Sequence, residues 1–154
     1  MDQKNSKSKI IFLGADHAGY DAKNFALDHI KGLGIDAIDL GTFSKKSIDY
    51  PEIAFKVARK VAESNDHYGI LFCGTGIGMS ICANKVKNIR AALCTTEIHV
   101  EMARKHNNAN ILAIGGRISS KEMIKKMIDK WFATEFEGGR HQRRINKIKK
   151  YSEC

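Results

Sequence analysis

The four cysteines of this chain, Cys73, Cys82, Cys94 and Cys154, form no C-x-x-C pair and no Cys/His pattern with zinc spacing. No apolar leader stands ahead of them, so the expectation is reduced thiols in a cytoplasmic protein. Long hydrophobic runs are missing too. The longest uncharged stretch, residues 69–84, is broken by glycines and ends in polar residues, so it does not read as a membrane span. Acidic residues are outnumbered, 17 Asp and Glu against 26 Lys and Arg, giving a formal charge of +9. That excess invites a nucleic-acid partner, but its distribution argues against one. Part lies at Lys4, Lys7 and Lys9, in a polar segment, residues 1–9, that reads as a disordered tail. More follows Gly139, where Arg140, His141, Arg143, Arg144, Lys147, Lys149 and Lys150 interleave with Ile145 and Ile148, as on an amphipathic terminal helix. A solvated basic face accounts for such a helix. Arg140 and Arg144 are nevertheless four residues apart, which puts both guanidinium groups on one face where they can grip a single phosphate.

With 154 residues, 43% hydrophobic and 28% charged, the chain is long enough for one domain with its own core. There is no internal repeat and no low-complexity linker. Apolar runs alternate with helical patterns five times, the pattern of a βαβ series. Strands are expected at residues 10–14, 35–40, 69–73, 89–94 and 110–115. Helices are expected at 18–33, closed by Gly34, then at 51–64 with Pro51 in its first turn, at 77–86 and at 96–106. A fifth follows Ser119 and runs to about Glu135, and Gly138-Gly139 separates it from the basic terminal helix. The expected fold is a doubly wound five-stranded parallel sheet with an extra C-terminal helix, spanning residues 10–150. Such sheets bind ligands beyond the carboxyl ends of their strands.

Those ends carry the polar residues: Asp16-His17 after the first strand, Asp49-Tyr50 after the second, Cys73 after the third, and Gly115-Gly116-Arg117 after the fifth. Cys73 runs directly into Gly74-Thr75-Gly76-Ile77-Gly78, a turn into the next helix. Unpaired amides at a helix start bind a phosphate or a developing oxyanion, and the positive helix end favours a nearby thiolate. Cys73 is therefore a candidate nucleophile or base. A strand-end cysteine is also an ordinary small core residue, with glycines that only make a tight turn. His106-Asn107 closes a helix that should run antiparallel to the strands, so local reading puts it at the opposite edge of the sheet, where a neighbouring subunit could bring it to a site.

Asp39 ends the second strand where a ribose-binding acid would stand in a dinucleotide fold, but the glycines do not follow G-x-G-x-x-G. The first turn, Gly14-Ala15-Asp16-His17-Ala18-Gly19, continues with Tyr20 and is no P-loop. Nicotinamide and nucleoside-triphosphate chemistry are both poorly matched.

The strand-end DHAG, IDYP, CGTGIG, RKHNNAN and EGGRHQRR, in this order from Ile10 to Ile148, resemble the type B ribose-5-phosphate isomerase family, whose superfamily includes galactose-6-phosphate and allose-6-phosphate isomerases. The resemblance implies a five-stranded doubly wound fold and an aldose–ketose isomerase of the pentose phosphate pathway, working through a cis-enediolate without metal or cofactor. It implies Cys73 as the base at C2 and His106 as the acid that opens the sugar ring, with Thr75 helping. Gly74, Thr75, Gly76, Ile77 and Gly78 would supply oxyanion donors, and Asp16, His17, Tyr50 and Asn107 would contact substrate, with Asp49 supporting. Arg140 and Arg144 would hold the phosphate, joined by Arg117 and His141. The residues alone leave other readings open: carbonyl capping for His106, and helix capping for Asp16 and Asp49. The family also implies a homodimer with shared active sites, the helix at 140–150 reaching the partner, and in some relatives a tetramer. No nucleic acid or membrane enters this reading.

Overall fold

The computed structural model describes residues 8–152; Lys4, Lys7 and Cys154 lie outside them. Three near-continuous apolar segments form the middle of the sheet: β1 (Ile10–Ala15), β3 (His67–Cys73) and β5 (Ile111–Gly115). Parallel strands covered on both faces need such sequences. The edges are β2 (Asp36–Asp39), which alternates exposed and half-buried residues, and β4 (Ala91–Leu93). All pairs are parallel in the order β2-β1-β3-β5-β4, the expected five-stranded doubly wound sheet.

Side-chain alternation divides the core in two. Ile11, Leu13 and Ala15 of β1, with Ile70, Phe72, Leu112 and Ile114, face α1 (Tyr20–Gly32), α4 (Glu97–Asn107) and α5 (Lys121–Ala133). Phe12, Leu71, Cys73 and Ile111 face the other way, onto α2 (Tyr50–Ala62) and α3 (Ile77–Ala83). The basic terminal helix, α6 (Arg140–Ser152), packs by His141 and Ile145. No helix among the described residues is long and apolar enough to cross a membrane.

Element boundaries depart from the sequence expectation where side chains claim backbone groups. Helix α1 starts at Tyr20 rather than residue 18 because Asp16 Oδ1 accepts the Gly19 N–H at 3.0 Å, folding 16–19 into a turn. Helix α3 stops at Ala83 rather than 86: the Asn84 amide turns to β4, accepting the Ala91 N–H at 2.8 Å and donating to its carbonyl at 3.0 Å. Strand β4 is correspondingly short, the preceding Arg90 N–H being held by Asn110 Oδ1 at 2.8 Å. Helix α5 ends at Ala133, where Thr134 is extended and its hydroxyl donates to the Lys130 carbonyl at 2.7 Å.

Candidate active site

The chain order reverses between β1 and β3, and the Cys73 turn lies at this switch point. Cys73, the last residue of β3, is 5% exposed and points to the α2/α3 side. Its Sγ accepts the Gly76 N–H at 3.1 Å, closing a tight turn. Gly76 makes this turn with φ +80°, and a Cβ there would lie 2.9 Å from the Ile114 carbonyl carbon, so no other residue fits without movement. The adjoining Gly78 is bare for another reason: a Cβ would meet the Tyr50 ring at 2.6 Å. Tyr50, at the start of α2, thereby lies directly over the glycine turn.

Loop donors are fewer than the sequence suggests. The Gly76 amide is held by sulfur, and the Ile77 amide donates to Thr75 Oγ1 at 3.3 Å, so two of the five amides expected to face an oxyanion already have partners. The αL turn at Gly76 is the cause, because it folds these amides back onto their own loop.

Other candidates at this end are placed by backbone. His17 Nδ1 lies 3.2 Å from the Ile48 nitrogen and 3.3 Å from its carbonyl oxygen, so the loop before α2 orients the imidazole. Asp49 stands at the N-cap of α2, yet its side chain makes no capping bond and stays exposed. Asp16 is buried, and its carboxylate accepts the Gly19 N–H in the turn before α1, whose N-cap Gly19 has no side-chain cap, so Asp16 does not cap the helix. Arg117 is exposed beside Gly74, whose carbonyl accepts the Arg117 N–H at 3.1 Å. Asp39 is not free to hold a ribose: Lys23 Nζ lies 2.5 Å from Oδ2, and Oδ1 accepts the Gly41 N–H at 2.8 Å.

The remaining candidates sit at the opposite edge, as the antiparallel course of α4 requires. Arg90, just before β4, donates its Nε to the Asn107 and Asn108 carbonyls at 3.1 and 3.0 Å, which pins the end of α4 to the amino end of β4. Cys73 lies level with Gly115 at the far end of β5, a strand length of about 13 Å away. Because Arg90 takes those carbonyls, His106 does not cap them. Its ring instead stacks on His141, with centroids 4.3 Å apart and planes 12° from parallel. Glu137, four residues before His141 in EGGRHQRR, was not singled out by the sequence reading. Its Oε2 lies 4.0 Å from His106 Nε2 and 3.5 Å from His141 Nε2, and its N–H donates to the Lys105 carbonyl at 3.1 Å.

These three side chains bring donor atoms within 4.8 Å of one another, a metal-capable set where the sequence offered no ligand cluster. Its setting is cationic. Burial, reinforced by His106 and Arg140, holds the His141 imidazole below its ordinary pKa, Glu137 opposing and Arg144 adding to the depression. Arg140, Arg144 and Asn107 are exposed. Two clefts of about 570 and 770 Å³ also open at this amino end, between α6 and the residues leading into β4; Cys73 lines neither.

The doubly wound sheet thus carries a buried thiol in a glycine turn at its switch point and a separate cluster of His106, Glu137 and His141 at the opposite edge. Residues 11–148 match the family model described as Ribose/Galactose Isomerase, and the chain belongs to that family. It is similar to ribose-5-phosphate isomerase B of Escherichia coli (strain K12), 42% identical over 140 residues that cover 91% of this chain and 94% of the relative. D-erythrulose-4-phosphate isomerase of Pectobacterium atrosepticum is 41% identical over 143 residues, 92% and 93% of the two chains. Among solved structures, ribose-5-phosphate isomerase B of Mycoplasma genitalium with bound ribulose-5-phosphate superposes with a TM-score of 0.91 at 42% identity, over 95% of this chain and 97% of that one.

Proposed function

We propose that this chain interconverts ribose 5-phosphate and ribulose 5-phosphate, and that Cys73 is the base. The observation that carries the reading is the Gly76 N–H bond to Cys73 Sγ, which holds the sulfur as an acceptor at the strand end, in a family of sugar-phosphate isomerases. In the open-chain aldose, Cys73 takes the C2 proton, leaving a cis-enediolate. A proton passes between O2 and O1, and the thiol returns its proton to C1 to give the ketose. Turn amides beyond those of Gly76 and Ile77 stabilise the oxyanion. Tyr50 and His17 contact the sugar beside the turn, Thr75 assists, and Asp49 and Asp16 support that wall. His106 donates a proton to the ring oxygen to open the cyclic sugar, Asn107 contacts it, and Arg140, His141 and Arg144 bind phosphate together with Arg117. No metal or organic cofactor takes part.

The two groups of residues meet across a homodimer, each site pairing one protomer's Cys73 turn with its partner's His106 and α6. Exposed apolar side chains at the glycine turn and the helix it opens support this: Ile77 at 51% and Ile81 at 56%, with Ile118 at 61% beside Gly115. The setting is the cytoplasm, where the free thiols of Cys73, Cys82 and Cys94 stay reduced, and the pathway is the pentose phosphate pathway.

Nearly equal identity to the pentose and tetrose relatives makes the sugar length the point to test. The decisive assay follows the purified chain, without added metal, on ribose 5-phosphate, D-erythrulose 4-phosphate, allose 6-phosphate and galactose 6-phosphate in parallel. Fastest turnover of the pentose is expected. Turnover of another sugar alone would move the substrate and leave the chemistry, and no turnover of any would overturn the reading.

A further inference from the structure

Lysine is seldom fully buried, yet Lys23 has no exposed surface. It lies on the inner face of α1, and the sugar chemistry does not use it. Its ammonium is 2.5 Å from Asp39 Oδ2 and 3.0 Å from Asn24 Oδ1, and it stands 5.5 Å from the Tyr20 ring centroid and 5.6 Å from that of Phe43. A buried ion pair of this kind is weak evidence for stability, because desolvation offsets most of the attraction. What it does here is fix the direction of one carboxylate.

The other oxygen of that carboxylate accepts the Gly41 N–H at 2.8 Å. Gly41 and Thr42 are bonded in turn to Ala15: the Ala15 N–H donates to the Gly41 carbonyl and the Thr42 N–H to the Ala15 carbonyl, both at 2.8 Å. Ala15 directly precedes Asp16-His17. The loop that begins at Gly41 ends at Ile48, whose backbone orients His17, and at Tyr50 above Gly78. A single run of bonds thus links a buried ammonium to both ends of the loop that faces the Cys73 turn.

We propose that Asp39, one oxygen held by the buried Lys23 ammonium, is a positioning residue that acts through the Gly41 N–H on the 41–50 loop, setting where His17 and Tyr50 stand against the Cys73 turn. The kinetic part rests on the isomerase reading; the positional part does not. Two neutral double variants separate placement from stability. In Lys23→Met/Asp39→Asn a side-chain oxygen still accepts the Gly41 N–H. In Lys23→Met/Asp39→Leu none does, and the charges removed are the same.

The measurements are amide hydrogen exchange over residues 41–49, melting temperature, and steady-state turnover of ribose 5-phosphate. The Asn variant should keep exchange protection in the loop and a kcat/KM within about tenfold of the parent. The Leu variant should lose that protection and about 100-fold in kcat/KM at a similar melting temperature, the scale expected when reacting groups are displaced by about 1 Å. Equal protection and equal kcat/KM in the two doubles would overturn the proposal and leave the pair a structural element. If the parent turns over none of the sugars, the isomerase reading fails and the exchange arm alone decides: protection kept by Asn and lost with Leu supports positioning, and no difference overturns it. If the Leu variant does not fold, Lys23→Met/Asp39→Ala, likewise without an acceptor, takes its place under the same criteria.

Discussion

The two ends of the sheet solve placement differently. At the carboxyl end three candidates are tied to backbone of their own chain: Cys73 by Gly76, His17 by Ile48, Arg117 by Gly74. At the amino edge the candidates are gathered by side-chain contacts between α4, the 137–139 connection and α6, with His106 stacked on His141 and both facing Glu137. A rigid turn suits a sulfur that would serve two adjacent carbon atoms without moving away from either. A cationic cluster on an outer helix suits a group delivered to a site elsewhere.

The largest effects should come from breaking each end separately. Cys73→Ser should lower kcat by about 10³-fold or more, within the range general base catalysis supplies, with an unchanged melting temperature because the oxygen leaves little void. His106→Asn should cost less on an open-chain substrate analogue than on the cyclic sugar, by about tenfold. Equal losses on both would remove its ring-opening role. Mixing these two variants sharpens the comparison. If one protomer supplies Cys73 and its partner supplies His106, subunit exchange in a symmetric dimer restores one intact site in half of the dimers, about a quarter of parental activity. If both residues serve the site within one protomer, the mixture stays as inactive as its parts.

A smaller effect tests the rigidity of the carboxyl end. Gly76→Ala should cost on the order of 2 kcal/mol of stability, from a Cβ forced onto a positive φ. Gly78→Ala should cost less stability but raise KM, because its Cβ displaces the Tyr50 ring and leaves the turn itself intact. Thermal melts with initial-rate kinetics distinguish the two. A shared pattern would mean that Tyr50 does not contact substrate.

How legible each end was in the sequence follows the same division. The strands and the Cys73 turn were readable because parallel strands need apolar runs and the turn needs glycine, both local signals. The opposite position of His106 followed from the antiparallel course of α4. Boundaries failed at Tyr20, Ala83 and Ala133, where Asp16, Asn84 and Thr134 divert backbone groups by contacts no periodicity records. Glu137 and Lys23 were invisible for a deeper reason. Glu137 matters by meeting a histidine 31 positions earlier in the chain, and Lys23 by meeting an aspartate in the next strand. Charged residues in helices and loops read as solvated until the fold pairs them.

The smallest expected effect concerns charge at the amino edge. Burial, His106 and Arg140 hold the folded-state pKa of His141 below its ordinary value of 6.5, so the folded chain favours the neutral imidazole. The unfolded chain takes up a proton first as pH falls. The resulting stability is therefore present above about pH 6.5 and is lost as the solution is acidified through the lowered pKa. The melting temperature of the parent relative to His141→Gln should accordingly decline between pH 7.5 and 5. A difference that grows on acidification would mean that Glu137 outweighs burial and the neighbouring cations. Inorganic phosphate should flatten the decline if Arg140, His141 and Arg144 bind it, because an anion beside the ring favours the imidazolium.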